Sequence, residues 1–231
     1  MKLEKMTDRI EGRTKRWYPD ACGTALALEF VGERWSLLVM RELMLGPRRF
    51  SDLKADLTGI SANILTQRLQ GLEAAGIVTR ERLPPPVNTQ VYALTPWGYE
   101  AEPIFQTMGR WATRSPEHDP TLPLSPVSAM LSLRTMIRPG GGYPPMLLGF
   151  GFPGAGFVGR LTADALDIER GDPAKADVAF ETDPTTFVGL VYGKRPFADA
   201  EAAGTLRLTG DRAAAAAFVD LFALPPKIAP G

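Results

Sequence analysis

Trp35, Leu38, Val39 and Leu43 recur at i, i+3, i+4 and i+8, a single apolar stripe that stops at Gly46-Pro47, where proline cannot continue a helix. The spacing predicts a helix over Gly32–Leu45. Ser51 then reads as the N-cap of a short helix through Leu57, Gly59 as a turn, and Ser61 as a second N-cap. The helix it opens turns Leu65, Leu69 and Leu72 inward at i, i+4 and i+7 and ends at Gly76. A short helix, a tight turn and a longer helix make a helix-turn-helix.

Beyond Gly76 the period shortens. Ile77–Arg82 and Gln90–Leu94 read as two strands joined by the stiff Pro84–Asn88 loop, a hairpin or wing. Thr95 caps a further helix with Pro96 in its first turn, and Trp97, Ala101, Phe105, Met108 and Trp111 are expected along one face, with a kink at Pro103. So broad an apolar face on a terminal helix calls for a partner. Arg114–Pro126 holds four prolines without periodicity and reads as a linker.

A second unit follows. Ser128–Ile137 reads as helix or strand, Pro139–Pro145 as a loop, and strands are expected near Met146–Phe152, Gly156–Thr162, Ala165–Glu169, Val178–Glu181 and Thr205–Leu208. Helices are expected at Asp183–Tyr192, Phe197–Ala202 and Asp211–Phe222. Irregular interleaving of the two gives an α+β class. The expected organisation is an N-terminal arm at 1–20, a winged helix-turn-helix at 21–113, a linker at 114–126, an α+β unit at 127–224 and a tail at 225–231.

Composition narrows the class. At 231 residues the chain has room for two small domains, and 45% apolar with 23% charged residues is ordinary for a globular protein. No apolar run reaches the roughly 18 residues of a membrane span, and the charged N-terminus lacks the apolar core of a signal peptide, so a cytoplasmic location away from membranes is expected. One cysteine, Cys22, and one histidine, His118, exclude a disulfide framework and a Cys/His zinc cluster. The net charge is zero overall, but +3 in residues 1–115 and −3 in residues 116–231. The basic half is the better match to a polyanion.

The stretch from Cys22 through Gly32-Glu33-Arg34-Trp35, Arg41-Glu42-Leu43, Arg49-Phe50-Ser51-Asp52-Leu53, Ile60-Ser61, Leu65-Thr66-Gln67-Arg68-Leu69, Leu72-Glu73, Gly76-Ile77-Val78 and Tyr92, Leu94 and Thr95 resembles the HxlR family of winged-helix regulators. The resemblance covers roughly 90 residues. It implies a DNA-binding transcriptional regulator that meets a near-palindromic double-stranded operator as a homodimer. Gly23 departs from the pattern, since proline follows the cysteine in many members. In the second half, Ala176-Asp177-Val178, Asp183-Pro184, Gly193-Lys194-Arg195 and the Ala200–Asp211 stretch resemble the sterol-carrier-type, SCP2-like domain, which implies a fold around an apolar pocket.

Within the first unit, Ser61, Asn63, Thr66, Gln67 and Gln70 sit on the reading helix away from its leucines, where polar side chains meet base edges in a major groove. Arg68 flanks the leucine stripe and suits phosphate. Arg48 and Arg49 before the first helix of the pair, with Arg80, Arg82 and Asn88 on the wing, complete the candidate DNA-binding set. Arg80 and Arg82 share a strand face by period two.

In the second unit, Phe150, Phe152, Phe157, Phe187, Leu190, Val191 and Phe197 are candidates for an apolar effector pocket or, equally, for an ordinary core. Cys22 is either a redox or electrophile sensor or a small buried residue. Burial is favoured, because free cysteines are commonly buried and no cationic neighbour in sequence lowers this thiol's pKa.

Gly149–Gly154 has the spacing of a dinucleotide fingerprint but runs into a strand, so no helix N-terminus faces a pyrophosphate. His118 beside Asp119 lacks a nucleophile elbow, and Glu100 and Glu102 do not share a helix face. No catalytic residue, cofactor or metal is expected. Two rival readings remain: a lipid-carrier or enzyme-like second domain with the winged helix used for protein contacts, and a cysteine-based sensor.

Overall fold

The computed structural model describes residues 18–86, 88–138 and 140–229. The expected arm at 1–20 therefore lies mostly outside the described residues.

The first helix, α1 (Gly23–Val31), ends at a turn that places Trp35 in the left-handed region at φ 81°, and α2 (Ser36–Leu43) starts one residue later. The helix expected over Gly32–Leu45 is thus shorter, because no run of right-handed backbone passes through Trp35. A left-handed tryptophan carries strain, and Arg68 braces the turn by donating from Nε to the Arg34 carbonyl at 3.0 Å. Leu38, assigned inward by period, is exposed, and Met40 takes the buried place beside Val39 and Leu43.

The helix-turn-helix is α3 (Phe50–Asp56) and α4 (Ala62–Ala74). Arg49, not Ser51, is the N-cap of α3. Ser61 caps α4 by accepting from the Ile64 N–H at 3.2 Å, and Leu65, Leu69 and Leu72 are buried. Strands β1 (Val78–Arg82) and β2 (Gln90–Leu94) pair antiparallel, Arg80 opposite Tyr92 and Arg82 opposite Gln90, and Arg48 adds a bridge to Tyr92. Thr95 caps α5 (Pro96–Tyr99), and α6 (Glu102–Ala112) follows with Pro103 in its first turn. Two helices replace the single kinked one. Ala101 and Phe105 turn partly inward, while Ile104, Met108 and Trp111 lie outward at i, i+4 and i+7.

Residues 113–125 contain no helix or strand. The segment first read as helix or strand is helix α7 (Pro126–Met136), capped by Ser125. Strands β3 (Met146–Phe152), β4 (Ala155–Leu161), β5 (Leu166–Arg170), β6 (Val178–Thr182) and β7 (Leu206–Gly210) form one sheet in the order β5-β4-β3-β6-β7, antiparallel except for the parallel β3–β6 pair. Helices α8 (Pro184–Val191), α9 (Phe197–Ala202) and α10 (Arg212–Asp220) complete the unit.

Glycines decide what crosses the back of this sheet. A Cβ on Gly149 would stand 2.3 Å from the Pro173 carbonyl oxygen, and one on Gly156 2.6 Å from that of Gly171. The chain from Gly171 through the 3-10 turn Pro173–Lys175 lies directly on these bare backbone positions on its way from β5 to β6. Of the glycines that mimic a nucleotide fingerprint, Gly149 thus serves close approach of one backbone to another, and Gly154 at φ 75° turns the chain between β3 and β4.

Helix α7 joins the two units. It packs on α2, α6, α8 and β5, and one connected cluster of buried apolar residues runs from Val39 and Leu72 through Val127, Met130 and Leu133 to Phe150 and Phe218. Arg110 on α6 donates to the Thr135 carbonyl, and Arg134 pairs with Glu102 at 2.8 Å. Among the described residues no helix is long and apolar enough to cross a membrane.

Candidate nucleic-acid interface

Helix α4 presents two faces. Inward leucines fix it against α2, and Ser61, Asn63, Thr66, Gln67 and Gln70 are all exposed on the other side. Thr66 donates its hydroxyl to the Ala62 carbonyl at 2.9 Å, which leaves the oxygen as an acceptor. A row of amide and hydroxyl groups on one exposed helix is what base edges in a major groove require.

The arginines divide. Arg49 is exposed at the start of α3. Arg48 is not available in the expected way: its guanidinium pairs with Asp56, its side chain is only 12% exposed, and its backbone is tied to Tyr92 in both directions. Arg68 is likewise engaged within the chain, with Nη2 3.0 Å from Glu33 and Nε on the Arg34 carbonyl.

On the wing, Arg80 lies 2.9 Å from Glu73 and over the Tyr92 ring at 5.6 Å, while Arg82 donates to Asn88 Oδ1 at 2.9 Å. Asn88 holds a left-handed φ of 36° that turns the wing tip back. Exposed pairs such as Arg80–Glu73 are worth little, about 0–1 kcal/mol, so a phosphate can compete for the guanidinium.

Cys22 overturns the expected burial. It is exposed at the N-cap of α1, its backbone N–H donating to Asp20 Oδ1 at 2.9 Å. The N–H groups of Ala25 and Thr24, together with the Thr24 hydroxyl, hold the thiol below its ordinary pKa. Sequence neighbours gave no cation, and the stabilising groups are backbone donors of a helix N-terminus instead.

The seven residues proposed for an effector pocket belong to a core in which their rings meet one another and those of Phe180 and Phe218. Phe150 meets Phe187 at 5.4 Å, Phe180 at 6.1 Å and Phe218 at 6.0 Å, and Phe152 meets Phe157 at 6.1 Å and Phe187 at 5.8 Å. Leu190 and Val191 are fully buried, and Phe197 closes on Phe180 at 6.1 Å. Their period-two and helical spacing described a core, which periodicity cannot distinguish from a pocket wall. A hollow of about 420 Å³ lies instead on the outer side of α8, beneath residues 118–124. Among the described residues no group of three or more His, Cys, Asp or Glu is placed to hold a metal ion.

Sequence reading also missed the junction of the two units. Glu42 is completely buried and accepts from Arg41 Nε at 2.9 Å and from the Ser125 hydroxyl at 2.7 Å. Arg170 enters the same region from β5, its guanidinium 4.9 Å from the Phe157 ring and near Arg48, Asp56 and Glu42. Burial and the Arg48 charge lower its pKa. Nothing in the one-dimensional pattern brings positions 42, 48 and 170 together.

Residues 30–120 match the HxlR-like helix-turn-helix family. The HTH-type transcriptional regulator YvaP of Bacillus subtilis is 36% identical over 88 residues, 38% of this chain and 81% of that protein. The transcriptional regulator YodB of the same organism is 37% identical over 86 residues, 37% of this chain and 77% of that protein. The solved reduced form of YodB aligns at 35% identity with a TM-score of 0.38, covering 42% of this chain and 98% of that one. The family match ends before α7. From the end of α1 to the linker, residues 30–120, the chain belongs to the HxlR-like helix-turn-helix family, whose relatives here are transcriptional regulators.

Proposed function

We propose that the protein is a homodimeric transcriptional regulator that reads a near-palindromic operator with α4 and is modulated through its second unit. The observation that carries this reading is α4 itself: Asn63, Thr66, Gln67 and Gln70 stand exposed on one helix whose other face is locked by three buried leucines. Arg49 and the wing pair Arg80 and Arg82 flank that row and suit the DNA backbone. Two-fold symmetry would set two such helices about one DNA turn apart.

The dimer surface in this reading is the apolar ground left open on α1, α5 and α6. Leu26, Leu28, Trp97, Tyr99, Ile104, Met108 and Trp111 are exposed, and Phe30 meets Trp97 edge-on at 5.7 Å, which brings α1 beside α5. Contiguous exposed apolar residues of this size mark interaction surfaces.

The second unit is read as SCP2-like and effector-binding. The residues that carry that resemblance serve here as structural punctuation: Asp183 caps α8 by accepting from the Thr186 N–H at 2.9 Å, Gly210 at φ 88° ends β7, and Asp211 caps α10. They support a fold and leave the ligand to be argued from a cavity. The test of the central reading is fluorescence anisotropy on DNA selected from a random pool with the full-length protein. Recovery of a palindromic site bound with steep salt dependence is expected, and no binding at low salt would refute it.

A second reading, thiol-based sensing at Cys22, is favoured by one observation, the exposed and acidified thiol. Loss of operator binding under diamide in the wild type but not in Cys22→Ser would establish it.

A further inference from the structure

We propose that the hollow between residues 118–124 and the α7–α8 face is the effector site, and that it takes an uncharged, mainly apolar molecule carrying one hydroxyl group. This deepens the regulatory reading above and rests on it.

The volume, about 420 Å³, lies in the range of small-molecule sites. Leu124, Met136 and Val188 give it apolar walls, and Leu122, 63% exposed, stands at its mouth. Two of its polar groups have their protons assigned by their partners. Tyr192 donates its hydroxyl to Ser132 Oγ at 3.0 Å, and Ser132 donates to the Ala129 carbonyl at 2.7 Å. With both protons committed, the phenol oxygen has a lone pair to offer and accepts.

His118 supplies the complement. Burial and the neighbouring Lys227 charge lower its pKa, so the imidazole is neutral at pH 7. The Lys227 ammonium lies 3.4 Å from Nδ1, which places the lone pair there and the proton on Nε2. One acceptor and one donor on a mainly apolar wall, whose other polar side chains are Thr113, Asp119, Thr121, Ser128 and Ser132, match a hydroxyl group, which is both donor and acceptor. Charge is selected against: among the described residues no Lys or Arg lines the hollow, the Lys227 ammonium beside His118 is held by the Ser115 and His118 carbonyls, and Asp119 does line it, its carboxylate kept ionised by the Thr121 hydroxyl and N–H.

Position gives the site a route to the DNA-binding unit. Thr113, the C-cap of α6, lines the hollow with Leu224 of the tail. The tail is clamped to the same segment, Ile228 N–H donating to the Arg114 carbonyl at 2.8 Å and Lys227 to the carbonyls of Ser115 and His118 at 2.8 and 3.0 Å. An occupant therefore fixes the end of α6, the helix that carries Met108 and Trp111, against α7 and α8.

The probe is 1-naphthol, titrated calorimetrically into the full-length protein, with 1-naphthoate as its charged counterpart. Gly189 lines the hollow from α8, and a Cβ there meets nothing within 4 Å. Gly189→Leu should fill the space, keep or raise the thermal midpoint, and weaken 1-naphthol by more than about tenfold. Tyr192→Phe should weaken it by about two- to tenfold. 1-Naphthoate should bind about tenfold more weakly than 1-naphthol to the wild type. An absence of 1-naphthol binding up to its solubility limit, or equal affinity in Gly189→Leu, overturns the assignment, as does naphthoate binding as tightly as naphthol. Anisotropy of ligand-free protein on the selected operator is run alongside. Its failure would overturn the regulatory reading while the calorimetry still decides the site.

Discussion

The Ser125 hydroxyl donates to Glu42 Oε1 at 2.7 Å and accepts from the Ser128 N–H at 3.0 Å, so one side chain caps α7 and partners one oxygen of a buried carboxylate 83 residues away. Glu42 sits in the last turn of α2, where the helix dipole opposes a negative charge, and the N-terminus of α7 supplies the compensating field. Ser125→Ala removes both bonds. It should cost about 1–3 kcal/mol of stability by urea denaturation, and a cost below a few tenths would show that the junction contributes little.

Glu42 also makes this junction pH-sensitive. Burial raises its pKa above the usual carboxylate value, with Arg41 and Ser125 only partly offsetting it. Between about pH 4.3, the unfolded value, and the raised folded value, the native state holds more protons than the unfolded chain. The contribution of this group is therefore fully present below about pH 4.3 and lost as pH rises through the folded pKa. Glu42→Gln should gain stability relative to wild type as pH rises from 4 to 8; a difference that stays constant with pH would contradict the raised pKa.

For DNA, the structure separates residues that sequence placed together. Gln67→Ala should cost roughly 1–3 kcal/mol on the selected operator and little on random DNA. Arg49→Ala should weaken both and reduce the slope of log affinity against log salt by about one. Arg68→Ala should act differently. Because its guanidinium holds Glu33 and the Arg34 carbonyl, the change should lower stability by about 1 kcal/mol. A reduced salt slope without lost stability would return Arg68 to the phosphate contacts.

The legible parts of this molecule were those encoded over a few residues. Ser61, Thr95 and Asp183 announced their helices because a cap needs only a side-chain oxygen and an N–H three residues on. Leu65, Leu69 and Leu72 announced a buried face, and β3 was read to its true ends at Met146 and Phe152. What stayed hidden depends on contacts between distant positions. Whether Arg48 points to DNA or to Asp56 is decided by the fold of α3, and whether Phe150 walls a cavity or meets Phe218 is decided by α10, nearly seventy residues later. The α2 start failed for a local reason, since nothing in Gly32-Glu33-Arg34-Trp35 signals that Trp35 adopts left-handed backbone.

Cys22 should behave as an open thiol. Exposure and the donors at the start of α1 predict stoichiometric reaction with Ellman's reagent in the native protein, its rate–pH midpoint below the free-thiol value of about 8.5. Protection until denaturant is added would mean that the thiol is covered in solution.

Assembly is the remaining prediction, and it follows from what α6 leaves uncovered. Its inner face is held by α7 through Arg110 and Thr135 and through Glu102 and Arg134, so Ile104, Met108 and Trp111 are free to meet another surface. Trp111 is 74% exposed and Leu28 on α1 51% exposed, more than large apolar side chains show without a use. A two-fold contact through α1, α5 and α6 would cover them in both copies at once, and buried tryptophans at such centres typically carry 2 kcal/mol or more, about 30-fold in affinity. Wild-type protein should sediment as a dimer at micromolar concentration. Trp111→Arg should shift it to monomer with its circular dichroism unchanged, because the side chain is mostly exposed in the single chain, and should weaken palindromic DNA much more than a single half-site. A wild-type monomer would remove the dimer from the proposed function, and a Trp111→Arg dimer would move the interface elsewhere.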